Sequence, residues 1–225
     1  MPTRRGEDAA PAVDHARLES RWPATIAVLV AIVLYLNLPD SLVLGPSWVL
    51  PVLEGAILVP LTVARPHRHA GESGRSRMAA IALIALANLG NVASLGLLVN
   101  VLLGGSHISG RNLILAAIEI YLTNVIVFGL WYWELDRGGP AARLAGRSAY
   151  PDFLFPQMNT PDKAPPGWRP TLVDYMYVSL TNATAFSPTD TLPLTRMAKA
   201  LMAVQCVASL LTVALVAGRA VNVLT

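Results

Sequence analysis

The stretch Thr171-Leu-Val-Asp-Tyr-Met-Tyr-Val-Ser-Leu-Thr-Asn-Ala-Thr-Ala-Phe-Ser-Pro-Thr-Asp190 decides how the chain is read. Its apolar part, Leu172 to Phe186, falls short of the about 20 apolar residues that a helix needs to cross ~30 Å of hydrocarbon. Ser179, Thr181, Asn182 and Thr184 also make it too polar for an ordinary span, and it suits a segment that enters a membrane without simply crossing it. After Asp190 the chain resumes as a long apolar helix starting near Met197. On that helix Gln205, Ser209, Thr212 and Arg219 share one face at 3.6 residues per turn. The face either lines water or, with Ala203, Ala208, Ala214, Ala217 and Gly218 small enough for close approach, forms a seam between helices.

The whole chain fits a membrane setting. Of its 225 residues 54% are hydrophobic and 14% charged, with a mean hydropathy of +0.50, well outside the composition of an ordinary soluble domain. The net charge of +3 comes from basic residues lying between apolar segments, so it reports topology and contact with anionic lipid. No basic face interleaved with aromatics points to nucleic acid. The single Cys206 lies in the last apolar helix, has no internal disulfide partner, and reads as a small packing residue. Residues 1–22 form a polar tail without the small-residue cleavage pattern of a secretory signal, so the first apolar segment is read as retained.

Four apolar segments precede the deciding stretch: Pro23 to Leu44, Ser47 to Ala64, Met78 to Leu103 and Asn112 to Leu135. Each is long enough to span as a helix, and together they make residues 23–135 a four-span scaffold. Pro51 and Pro60 predict a bent second helix. The loop Gly104 to Gly110 suits a tight antiparallel connection. Trp131, Tyr132 and Trp133, followed by Glu134 and Asp136, read as an interfacial aromatic anchor. Residues 136–170, punctuated by glycines and prolines, read as a cytoplasmic or interfacial connector. Within it Phe153, Leu154 and Phe155 are expected on the membrane surface or packed against the bundle.

Basic residues set the orientation. They gather before the first span, between the second and third, and throughout the connector, whereas the first loop has none and the third only Arg111. This asymmetry places the N-terminus, the second loop and the connector in the cytoplasm. Two arrangements then fit the stretch at 171. Crossing as a short fifth span, the preferred reading, makes six spans and puts Arg196 and Lys199 outside. Re-entry from the cytoplasmic face makes five and puts the C-terminus outside.

Ser179, Ala183-Thr184, Asp190, Pro193, Thr195 and Lys199 stand at the relative spacing of the Ser, Ala-Thr, Asp, Pro, Thr and basic residue around the filter of the potassium-channel-like pore-loop superfamily. Residues 171–225 thus resemble a pore helix, loop and inner helix. The resemblance implies a homotetrameric pore with Thr184, Ala185, Phe186, Ser187, Pro188, Thr189 and Asp190 nearest the constriction and monovalent cations passing through. In that family the pore helix dips in from the extracellular side. Ser187-Pro188-Thr189 replaces the family's Gly-Tyr-Gly. The glycines that reach unusual backbone angles are gone, and Pro188 fixes its own φ and lacks a donor, so strong potassium selectivity is not expected. The alternative for residues 187–190 is a plain loop before a helix capped by Asp190 or Thr191. A weaker resemblance, to an uncharacterised family of small bacterial multi-pass proteins, rests on the Thr-rich helix, Thr189-Asp190 and Ala220-Val-Asn222; it implies a bacterial inner membrane and no function.

Glu54 and Glu119 fall mid-span, where a carboxylate is either part of an ion or proton path or a neutral group bonded to neighbours such as Asn88, Asn91 or Asn124. His67-Arg68-His69 lacks a third ligand, and His15 and His107 stand apart, so no metal site is expected. With no phosphate cradle, nucleophile motif or Cys/His cluster, neither enzyme activity nor a cofactor is expected. The reading is therefore an all-α polytopic helical bundle of about five to six membrane segments with a pore-loop-like C-terminal hairpin. Its expected function is channel-like, in contact with membrane lipids. A small proton-coupled transporter using Glu54 or Glu119, and a non-conducting membrane scaffold, are the alternatives.

Overall fold

The computed structural model describes residues 19–63, 67–68, 74–104, 109–147, 150–185 and 190–224, with the backbone alone for 19, 67, 68 and 219–224. The described chain is all-α. Its long helices are α1 (Trp22–Asn37), α2 (Val49–Val63), α3 (Gly74–Leu103), α4 (Gly110–Leu135), α7 (Leu172–Ala185) and α8 (Arg196–Leu224), with short α5 (Pro140–Leu144) and α6 (Pro156–Asn159) in the connector. Two-residue strands β1 (Glu19–Ser20) and β2 (His67–Arg68) pair antiparallel, as do β3 (Phe153–Leu154) and β4 (Leu192–Pro193). Three helices, Gly74–Leu103, Gly110–Gly138 and Arg196–Gly218, are long and apolar enough to cross a membrane, which makes this a membrane protein. At 16 and 15 residues, α1 and α2 reach only about 24 and 22 Å at 1.5 Å per residue.

Proline chemistry trims the first of these helices relative to the sequence reading and interrupts the second. The first segment, expected to run to Leu44, leaves the helix after Asn37 because Leu38 precedes Pro39 and is extended (φ −64°, ψ 143°). A 3₁₀ turn at Asp40–Leu42 follows and buries Leu42. Pro51 lies in the first turn of α2, where its missing N–H is harmless, whereas Pro60 lies inside it and leaves the Ala56 carbonyl without its helical donor.

Side-chain contacts define two ends of the bundle. At one, the Thr25 and Thr62 hydroxyls are 3.0 Å apart, β1 pairs with β2, and Arg77 near the start of α3 faces Glu134 at the end of α4 at 3.9 Å. At the other, Leu98 and Leu102 of α3, Leu113 of α4 and Leu215 of α8 line one small cavity. Helices α1, α2, α3, α4 and α8 therefore run alternately between the ends. Helix α7 does not. Its N-terminal Tyr175 reaches Asp136 beyond the end of α4, and the β3–β4 pair returns the chain to that same end before α8 begins.

The core lies along α4, the most buried of the three long apolar helices. Val127, Phe128, Leu130, Tyr132 and Trp133 of α4 join Val28, Leu83, Phe153, Phe155, Tyr175 and Met202 in one cluster. The expectation of an interfacial aromatic anchor is thus corrected: Tyr132 and Trp133 are 0% and 2% exposed. Phe153 and Phe155 lie in the core, the packed alternative of the two expected for them.

Candidate functional site

The functional candidate is built where α7 lies against α4 and α8. At the start of helix α7 the Asp174 side chain reaches back to Thr171, its Oδ2 accepting from both the backbone N–H (2.7 Å) and the hydroxyl (2.8 Å). Gly129 lets α7 come close to α4, because a Cβ there would stand 2.5 Å from Met176 Sδ and 3.2 Å from its Cα.

Polar side chains tie the three helices together. Gln205 Nε2 donates to Ser179 Oγ (2.6 Å) and to the Ser179 carbonyl (3.0 Å), while its Oε1 accepts from the Tyr132 hydroxyl and from Asn182 Nδ2 (2.8 Å). Asn182 Nδ2 also reaches the Met202 carbonyl (3.1 Å), and its Oδ1 accepts from Cys206 Sγ (3.2 Å). Ser179 Oγ donates to the Val125 carbonyl (2.6 Å). One turn further along α8, Asn124 Nδ2 donates to Ser209 Oγ (2.9 Å). Ser179, Asn182, Gln205 and Ser209 are at most 1% exposed. Each of these four side chains has partners, as buried polar groups require.

A second cluster fastens the base of the hairpin. Asp136, fully buried, accepts from the Tyr175 hydroxyl through Oδ2 and from the Asp152 N–H (2.8 Å) through Oδ1. Asp152 in turn accepts from the Arg137 N–H (2.8 Å) and the Thr195 hydroxyl (2.7 Å), and its carbonyl accepts from the Leu194 N–H (2.8 Å). Thr195 Oγ1 also accepts from the Ala198 N–H (3.3 Å), so it caps α8. The cap expected at Asp190 or Thr191 is thus at Thr195. Arg143 donates to the carbonyls of Trp133 (2.7 Å) and Asp136 (2.9 Å) and stands 5.2 Å from the centre of the Tyr175 ring. The turn needs unusual backbone: Arg137 is left-handed (φ 53°), and at Gly139 (φ 96°) a Cβ would meet the Glu134 carbonyl at 2.8 Å.

The residues singled out in the sequence divide accordingly. Thr184 and Ala185 are exposed in the last turn of α7, the Thr184 hydroxyl bonding the Leu180 carbonyl (2.8 Å). Asp190 is exposed, and Phe186, Ser187, Pro188 and Thr189 lie outside the described residues. Gln205, Ser209 and Thr212 are 0%, 0% and 2% exposed, so within one chain the α8 stripe is an interhelical seam; the Arg219 side chain is not described. Glu54 is 3% exposed on α2 and Glu119 is half-buried on α4, and neither takes part in the hydrogen bonds of the α7 seam. The Asp136, Asp152 and Tyr175 cluster was missed. Its available signal was weak: Asp136 and Asp152 are two of three Asp residues in the Pro-rich connector, and Asp162 beside Lys163 looks no different from them in sequence.

No protein-family model, curated protein or solved structure matches this chain. The resemblance to pore-loop channels therefore rests on the residues Ser179 to Lys199 alone.

Proposed function

We propose that the chain is a five-crossing membrane protein in which α7 and the return through residues 186–193 form a re-entrant, pore-loop-like hairpin, and that an oligomer of it conducts cations without strong preference for potassium. One observation carries this reading: the antiparallel pairing of Phe153–Leu154 with Leu192–Pro193, which holds the chain before and after α7 at one end of the bundle. At 14 residues α7 is scarcely shorter than α1 and α2, at 16 and 15, so the return of the chain to one end, and not helix length, separates it from the crossing helices. Re-entry is supported over the six-span alternative by charge as well. It leaves Arg196 and Lys199 on the same side as Arg75, Arg77, Arg137 and Arg143, the cytoplasmic side by the positive-inside rule.

In this arrangement the hairpin enters from the cytoplasmic face, inverted relative to the potassium-channel family. The α8 stripe is buried within the chain, Gln205 against α7 and Ser209 against α4, so the path is lined instead by the exposed end of α7 and the residues after it. Thr184 and Ser187 supply hydroxyls, Phe186 narrows the path and Asp190 favours cations at its mouth. A tetramer is the assembly that the pore-loop resemblance implies.

Two measurements test this. On a Cys206→Ser background, single cysteines at Lys163 and Asp190 should label from the same, cytoplasmic side; opposite sides would restore six spans. Bilayer recordings of purified protein with potassium opposite sodium should reverse near zero, and Asp190→Asn should lower conductance. Silence in the bilayer from a stable monomer would end the channel reading.

A further inference from the structure

We propose that Glu54 is a proton-binding site within the α1–α2–α3 half of the bundle, and that its proton holds α2 in place. The site is separate from the α7 hairpin and does not depend on the pore reading. Glu54 is 3% exposed and makes no hydrogen bond or ion pair to any described residue. The two wholly buried carboxylates among the described residues are engaged, Asp136 by Tyr175 and Asp152 and Glu134 by Arg77.

The surroundings of Glu54 follow from its neighbours on α2. Leu50, one turn earlier, lies against Gly90 of α3, and Leu58, one turn later, lines a cavity with Val28 of α1 and Leu83 and Ile84 of α3. By helical period Glu54 falls between these contacts, at the level of the buried small residues Ala31 and Ala87. The α3 face that carries Ala87 also carries Asn91 and Ser94, 4% and 1% exposed, and Ser94 Oγ has no partner. Tyr35 of α1 is the titratable group in electrostatic reach; the α3 face opposite holds none. Among the described residues no cation is paired with the carboxylate.

An isolated ionised carboxylate in such a place costs several kcal/mol, and the group takes a proton instead. The Tyr35 hydroxyl is the described polar group within electrostatic reach of Glu54, and no described arrangement supplies the several ligands of a metal. Helix α2 is the element that answers to this proton. It is short, interrupted by Pro60, and its described polar tie to a neighbouring helix is the single Thr62 contact with Thr25. Losing the proton leaves a charge that water must reach or that α2 must carry outward, so proton occupancy and the seat of α2 are linked.

The test uses the intact wild-type protein in lipid nanodiscs with dicyclohexylcarbodiimide. A membrane-buried carboxyl O–H adds to this reagent, and acyl transfer to nitrogen leaves a stable adduct that retains every atom of both partners. Mass spectrometry should find the adduct on Glu54 at mildly acidic pH, falling about tenfold per pH unit once ionisation dominates, and unchanged by sodium. Absence of the adduct at every pH would overturn the site, and protection by sodium would replace the proton with a cation. Thermal stability should fall as pH rises through this range, since the proton is bound in the folded state and absent unfolded. In Glu54→Gln that dependence should flatten; an unchanged slope would break the link to α2.

Discussion

The two halves of the bundle are held by different forces. Between α4, α7 and α8, seven polar side chains (Asn124, Tyr132, Ser179, Asn182, Gln205, Cys206 and Ser209) bond across helices in a continuous seam. Between α1, α2 and α3 the contacts are mostly aliphatic, close approach at Gly90 against Leu50 stands in for bonds, and the described polar tie is Thr25 to Thr62. The difference teaches what each half needs. A helix that runs from one end to the other is kept there by its own hydropathy, because leaving the bilayer exposes its whole length. Helix α7 is short and polar, and lipid tails are as apolar as any packing partner, so only directional bonds and the Gly129 approach can specify where it sits.

Asp136→Ala should break this comparison most severely. It strands the buried Tyr175 hydroxyl and the Asp152 N–H and frees both flanks of α7 at once; loss of about 3–5 kcal/mol is expected, on the scale of a broken buried charge cluster. Thermal unfolding in detergent would read it, and a change under about 1 kcal/mol would mean that the hub is not the fastening point. Gly129→Leu comes next, at about 1–3 kcal/mol, because the added side chain meets Met176 and pushes α7 from α4. Protease access to residues 171–190 should rise in this variant.

Gln205→Leu keeps the volume but leaves Tyr132, Ser179 and Asn182 each short of a partner. A loss of about 1–2 kcal/mol is expected, with no compensating gain since leucine finds no better solvent in the seam than in lipid. Thr62→Val in the other half is the smallest. Each threonine hydroxyl also reaches a carbonyl of its own helix (Leu58 for Thr62, Arg21 for Thr25), so two hydrogens serve three contacts and about 0.6 kcal/mol is at stake. Equal losses from Gln205→Leu and Thr62→Val would erase the distinction between the halves.

Residue pattern alone establishes the membrane class, the approximate position of every long helix, the gathering of basic residues on alternate connections, and the short, polar character of Leu172 to Phe186, which leaves crossing and re-entry both open. These follow from local quantities: hydropathy summed over a window, proline geometry, charge between segments. Only the tertiary structure shows that the chain comes back to one end after α7, that Tyr132 and Trp133 are core and not anchor, that the α8 stripe faces α4 and α7, and that Asp136 meets Asp152 and Tyr175 across 16 and 39 positions. The physical reason is the solvent. In water a helix writes its buried face in its pattern, since polar residues mark the outside; in a bilayer the buried face and the lipid-facing face are both apolar. Which faces meet is then set by a few polar side chains whose partners lie far along the chain, and no window of sequence contains both ends of such a bond.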